Sequence, residues 1–432
     1  MSDDAIVVTG LGAVCPLGTG APSAWRAFAA GESGIRELAP DDDRLAPGVD
    51  VAPPAPVRRA GWVRGFRPRD HVRSSQLRRM DWCSRMAVAA ARQACEDAGV
   101  VPLDDATSAR TALVVGACYG NQRETAAYLE RVFTSGPAAG QPLLFPNLVL
   151  NAAAGYAAIE LDVRGPNVCV AGHEASGEVA IATALDLLES GACDVACVAG
   201  VDEIGAVQLA ALRDLRLLHP DAAPSDPTGA RHRRPAGRMG AILPGEGAAA
   251  LVLERARGAA ARGVMPYARL AVARIGTLDA ALSPYGFPHD AHAAAARLLE
   301  LASVPGPAID AVLGGANGLV LRDALDVAVL QRLRAGGRRV GYAAFRRLVG
   351  DWGAAGALGA VLASLALDAG VLPGAEVDGE ATAADRASAP ERLLLVGAAR
   401  GGVLVPVVFD RNPGPRRCSS TASTSSSSSP SS

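Results

Sequence analysis

The sequence predicts an α/β protein in which one strand–helix alternation is run through twice. Two observations carry this. Short apolar runs bounded by glycine alternate with segments whose apolar residues recur every three or four positions, the pattern of buried strands between packed helices. The alternation then resumes after a composition shift near residue 255, which points to an internal duplication. The stretch Gly165–Gly177 is its centre: an apolar strand over Asn167–Ala171, a tight turn between Gly172 and Gly177, and a helix from Glu178 carrying Ile181, Leu185 and Leu188 on one face. Such a strand–turn–helix resembles a nucleophile elbow, which exposes one side chain at a helix N-terminus. Glu174 stands there.

In order, Ala5–Pro16 reads as a buried strand broken by a Gly/Pro turn, and Ala24–Ala30 as a short helix. Gly10 and Gly12 lack a third glycine in register, so the dinucleotide-binding pattern is not met. Residues 35–75 read as an irregular surface excursion rich in Pro, Asp and Arg. Met80–Gly99 is an amphipathic helix, Thr111–Gly116 a strand, Glu124–Phe133 a helix and Val149–Leu161 another. Asp194–Gly200 closes a βαβ unit with the elbow. Pro224–Arg238 is a polar loop carrying Arg231, Arg233, Arg234, Arg238 and His232, read first as a solvated loop and alternatively as a docking patch for an acidic partner. Gly245–Glu254 is a strand and Arg255–Arg262 a connecting helix. The second half follows with strands at Tyr267–Ile275 and from Ala311, helices at Asp290–Ala302, Arg322–Ala335 and from Gly353, and closing strands within Leu393–Phe409. The expected division is residues 1–255, 256–410 and a disordered, serine-rich tail, 411–432.

The chain has 432 residues, half of them apolar, enough for a large core. Its net charge of −2 gives no nucleic-acid surface. All 42 basic residues are arginine, which excludes any mechanism needing a lysine amine. The eight cysteines form no CxxC pair, so buried free thiols in a reducing compartment are expected. The acidic N-terminus lacks a signal peptide's basic region, and no run has transmembrane character. These features lead to the expectation of a cytoplasmic protein without metal or cofactor.

The residues Ile6-Val-Val-Thr-Gly-Leu-Gly-Ala-Val, Phe145-Pro-Asn, Gly165-Pro, Pro244-Gly-Glu-Gly-Ala and Gly353-Ala-Ala-Gly-Ala resemble landmarks of the β-ketoacyl synthase family, over about residues 4–410. The resemblance implies a thiolase-like fold, two duplicated βαβαβ-type halves in five αβαβα layers. It also implies an elbow cysteine as acyl acceptor and two histidines that polarise a malonyl thioester. Here the cysteine position falls on Glu174, the first histidine on Asn317, and the second on Gly350, or on Asp351 if the gap is placed differently. No histidine follows His292. The expected protein is therefore a chain-length-factor-like subunit, incompetent for condensation. It would pair as a heterodimer with a catalytic ketosynthase and work with acyl carrier protein in type II polyketide, aryl-polyene or fatty-acid biosynthesis. The pairing would run through the elbow strand, and the acyl channel would be shaped by residues from Leu129 to Leu150. Glu174 would cap the helix dipole and tolerate glutamine. The alternatives are a malonyl decarboxylase or acyltransferase using Glu174 or His173, or a degenerate product.

Overall fold

Strand β1 (Ile6–Cys15) is buried at all ten positions, as a continuous apolar run requires. With β2 (Thr111–Gly116), β3 (Asn167–Val170), β4 (Val195–Asp202) and β5 (Gly247–Arg255) it forms the first half-sheet. The second comprises β6 (Ala268–Ala273), β7 (Ala311–Leu313), β8 (Gly341–Ala343), β9 (Arg392–Ala399) and β10 (Val403–Arg411). These come from a computed structural model that describes residues 3–37, 59–101, 103–215, 217–218, 242–278, 288–373 and 387–414. The basic loop 224–238 and the serine-rich tail beyond 414 lie outside the described residues, as do residues 38–58 of the expected excursion.

The first half pairs in the order β3-β2-β4-β5-β1 and the second in the order β8-β7-β9-β10-β6. Subtracting five from each number of the second gives the first. The signs match as well. β2 is parallel to β3 and β4, and β7 to β8 and β9, while the remaining pairs are antiparallel. The half-sheets meet along a short seam, Val7 opposite Arg269 and Val8 opposite Ala268.

The principal helices are α1 (Trp82–Asp97), α2 (Gln122–Ser135), α3 (Ala152–Leu161), α4 (Ser176–Glu189), α5 (Ala291–Leu301), α6 (Val320–Leu333) and α7 (Gly356–Ala369). Helices α4 and α7 lie in the central core, shared by both half-sheets. α7 is buried at thirteen of its fourteen positions, so it has no water-facing stripe. α1 and α3 pack on the outer face of the first half, and α5 and α6 on that of the second. The layers are therefore α, β, α, β, α, the thiolase-like arrangement. α1 starts where the Asp81 carboxylate accepts the Ser84 N–H at 2.8 Å, an N-cap. Its alanines let it lie close on β1. A Cβ at Gly12 would come within 2.0 Å of the Ala90 carbonyl oxygen.

Element boundaries mostly move by one to three residues from those expected. The elbow helix starts at Ser176 instead of Glu178, and the elbow strand ends at Val170 instead of Ala171. Three elements were not expected. The excursion contains a small hairpin, Ile35–Glu37 against Arg59–Gly61. A helix spans Ala206–Asp214, and β8 is only three residues long.

Candidate functional site

The elbow turns at His173, whose φ of 51° lies in the left-handed region. The turn is knotted by its own serine: Ser176 Oγ donates to the His173 carbonyl at 2.7 Å and accepts from the Gly172 N–H at 3.0 Å. A short 3₁₀ turn, His173–Ala175, leads into α4 and carries Glu174, 6% exposed.

Glu174 makes no N-cap hydrogen bond to α4. Its carboxylate is held by Arg400, in the turn between β9 and β10. Arg400 Nε donates to Oε1 at 2.8 Å, its Nη2 donates to the same oxygen, and its backbone N–H donates to Oε2 at 3.2 Å. Arg400 Nη2 also donates to the Tyr119 hydroxyl at 3.1 Å. Burial alone would raise the Glu174 pKa, but the hydrogen bonds and charge of Arg400 outweigh it and hold the group below its ordinary value. A carboxylate so fixed is a poor proton acceptor. This also removes the basis for an acid–base pair with His173.

Asn317 lies in the turn after β7. Its Nδ2 donates to Asp351 Oδ2 at 2.9 Å. Asp351 Oδ1 accepts from Arg346 Nη1 at 2.8 Å, and Arg346 Nη2 donates to the Glu174 carbonyl at 3.3 Å. The positions singled out in sequence thus converge through one hydrogen-bonded chain. Gly350 contributes no side chain to it. Its φ is 78°, and a Cβ there would sit 2.4 Å from the Pro244 carbonyl oxygen. Of the two registers considered, the side chain that reaches Asn317 is that of Asp351.

Behind this chain lies a second buried acid. Glu178 fits between two glycines, since a Cβ at Gly356 would meet its carboxyl carbon at 2.0 Å and one at Gly397 its Cγ at 2.8 Å. Its Oε1 is 3.7 Å from Arg346 Nη2, with both side chains buried. Burial raises its pKa, against the lowering by Arg346 and Arg322. Arg322 is itself fully buried nearby, and the pull of Glu178, Asp351 and Glu174 offsets part of the effect of its burial. Three acidic side chains, Glu174, Asp351 and Glu178, and three guanidiniums, Arg400, Arg346 and Arg322, therefore meet at this centre.

Sequence reasoning missed Arg322, Arg346 and Arg400, and also Asp202. Asp202 ends β4, where an acid terminating an apolar strand was a legible signal. Its Oδ1 accepts the N–H groups of Cys118, Tyr119 and Gly120 at 2.9, 2.7 and 2.9 Å, and its Oδ2 that of Ala354 at 2.9 Å. It clamps the loop after β2 to the approach to α7. Burial pushes its pKa up to about 6 against those four donors. Cys118 is the thiol against this centre, packed on Gly353. Burial, then the charges of Asp202 and Glu174, push its pKa well above the ordinary thiol value, so it is a thiol and not a thiolate nucleophile. Cys169 lies within β3, before the elbow, and is raised by burial to about 11. Among the described residues, no group of three or more His, Cys, Asp and Glu is placed to hold a metal ion. None of their helices is long and apolar enough to cross a membrane.

An elbow at the N-terminus of a central helix, in a twice-repeated five-layer fold, defines the ketosynthase class of architecture. The family described as "Beta-ketoacyl synthase, N-terminal domain" matches residues 3–259, and the chain belongs to this family. The 3-oxoacyl-[acyl-carrier-protein] synthase 2 of Coxiella burnetii is 30% identical over 270 residues, 61% of this chain and 61% of that protein. This chain thus matches less than two thirds of the relative's length. The solved structure of the ishigamide ketosynthase/chain length factor matches 95% of this chain and 100% of its own, at 26% identity and a TM-score of 0.77. A type II polyketide ketosynthase in complex with its acyl-carrier protein matches 95% of this chain and 99% of its own. Its TM-score is 0.73, and at 17% identity it speaks to the fold alone.

Proposed function

We propose that this chain is a non-condensing member of its family, a chain-length-factor-type partner of a catalytic ketosynthase in type II polyketide, aryl-polyene or fatty-acid biosynthesis. The observation that carries the reading is the Glu174–Arg400 pair at the elbow. Condensation needs a thiolate there to hold the acyl group. It also needs neutral hydrogen-bond donors aimed at a developing enolate, whereas Asn317 is engaged with Asp351 and Gly350 has no side chain. The likeness to a ketosynthase/chain length factor structure supports the same assignment. A decarboxylase or transferase using Glu174 as a base is disfavoured by the lowered pKa of that group.

The surface supports a protein partner. β3 is an edge strand, half-exposed along its apolar residues, and unpaired edges invite strand addition. Beside it in sequence, α2 has no fully buried residue, and Phe133, Leu143 and Phe145 are 81%, 87% and 59% exposed. Apolar surface of this extent marks an interface. In this reading the partner's strand continues the sheet from β3, the segment from Leu129 to Leu150 shapes the partner's acyl channel, and acyl carrier protein delivers the chain. The same reading divides the protein into halves at residues 255 and 256.

Co-expression with a ketosynthase encoded beside it, size-exclusion chromatography and product mass measurement test the assignment. A stable heterodimer whose product length changes with bulky substitutions in Leu129–Leu150 is expected. A homodimer that leaves the synthase's products unchanged refutes it. The isolated chain should take up no acyl label, and Glu174→Cys should not restore condensation.

A further inference from the structure

The elbow presents a receptor for an anion, and the anion is part of the chain. Three donors of one residue converge on the Glu174 carboxylate: Arg400 Nε, Nη2 and backbone N–H. Tyr119 accepts from Arg400 Nη2 and so orients the fork without touching the carboxylate. Planar guanidinium and carboxylate match in shape as well as charge. Arg400 opens the turn Arg400–Gly402 between β9 and β10, where Gly401 and Gly402 have φ of 76° and 77°. The turn and the elbow are 226 residues apart in sequence, and this contact fastens one over the other.

We infer that Arg400, oriented by Tyr119, is a carboxylate-binding site occupied from within by Glu174, and that this tethered ligand bolts the β9–β10 turn over the elbow. The elbow is then not merely without a nucleophile. It is closed to any free carboxylate while the tether is in place, and removing the tether vacates a site selective for small monocarboxylates. The inference concerns the chain alone and stands or falls independently of the partner reading.

The test follows thermal unfolding of the full-length protein and of Glu174→Ala, Arg400→Ala and the double variant, in sodium acetate against sodium chloride at equal ionic strength. The wild type and Arg400→Ala should be indifferent to the choice of anion. Glu174→Ala should melt several degrees lower in chloride and recover saturably in acetate, with its half-effect in the millimolar range that a single charged contact allows. The double variant should show no acetate-specific recovery. Equal melting of Glu174→Ala in both salts, or recovery that persists without Arg400, overturns the inference. Should Glu174→Ala prove insoluble, Glu174→Gln keeps the shape and removes the charge. Amide exchange at residues 399–403 should then accelerate about tenfold, the worth of one charged hydrogen bond, and unchanged exchange overturns the inference equally.

Discussion

Replacing Arg346 with methionine should be among the most destabilising single changes available to this protein. The guanidinium is fully buried and serves Asp351, the Trp352 and Glu174 carbonyls and, at 3.7 Å, Glu178. Methionine fills similar space but leaves Glu178 with only Arg322 to offset its charge. Removing one member of a buried pair typically costs 3–5 kcal/mol. Because Arg322 remains and Asp351 keeps its bond from Asn317, the lower end, about 3 kcal/mol, is expected. The loss should depend on pH. Glu178 already has a pKa raised above its unfolded value of 4.5 by burial, and losing Arg346 raises it further. A raised carboxyl binds its proton more tightly in the folded state, so stability falls as pH rises past the unfolded value. The variant's deficit should therefore be smaller at pH 5 than at pH 8. Equilibrium urea unfolding at both values measures it, and adding Glu178→Gln should recover part of the loss through a double-mutant cycle. A variant within about 1 kcal/mol of wild type at pH 8, or no recovery in the double substitution, would refute the electrostatic account.

Glu203 gives a second pH prediction. Burial pushes its pKa from 4.5 up to about 8, while its Oε1 accepts the Arg123 N–H at 2.8 Å. Wild-type stability should therefore fall, relative to Glu203→Gln, as pH rises from about 4.5 to about 8, and flatten above. Parallel denaturation curves of the two proteins across that window would contradict this. Gly12→Ala should destabilise by about 1–3 kcal/mol or more, because the added methyl meets the α1 backbone and not a movable side chain; the urea midpoint reports it. Phe133→Asp should leave the monomer's stability within about 0.5 kcal/mol. It should weaken heterodimer formation roughly 10- to 100-fold if the ring is buried on association, as read by titration of the tagged partner.

The fold was legible because its evidence is local. Each central strand is a continuous apolar run, and the elbow announces itself through Gly172, Gly177 and the helical spacing that follows. The helix over Ala206–Asp214 and strand β8 were not legible, one for want of a buried face of its own and the other for its length of three residues. The site was half legible. Glu174 stood out at the elbow, and the resemblance to the ketosynthase family carried over Asn317 and Gly350, with Asp351 in the second register, but their partners could not be placed. Arg400 and Arg346 are 226 and 172 residues from Glu174, and nothing in their neighbours marks them among 42 arginines. Glutamine at Glu174, expected from the sequence to be tolerated, would still accept from Arg400 but leave its charge without a counterion. Nor does the sequence disclose that Gly356 and Gly397 are the space into which Glu178 fits.

The seam between the half-sheets is two residue pairs long, against eight between β9 and β10. Backbone ladders therefore do little to keep the halves together, and the central helices and the buried charges must do it. Those charges are divided unevenly: Glu174 and Glu178 come from the first half, while Arg322, Arg346, Arg400 and Asp351 come from the second. Cut in the surface connection around Gly263, the chain would yield two fragments whose joining faces carry opposite charge, acidic on the first through Glu174, Glu178 and Asp202, and basic on the second, where three arginines outnumber Asp351. Each fragment alone would expose apolar surface together with uncompensated charge, and each would be the other's natural complement, so the protein is laid out for reconstitution from separately made pieces.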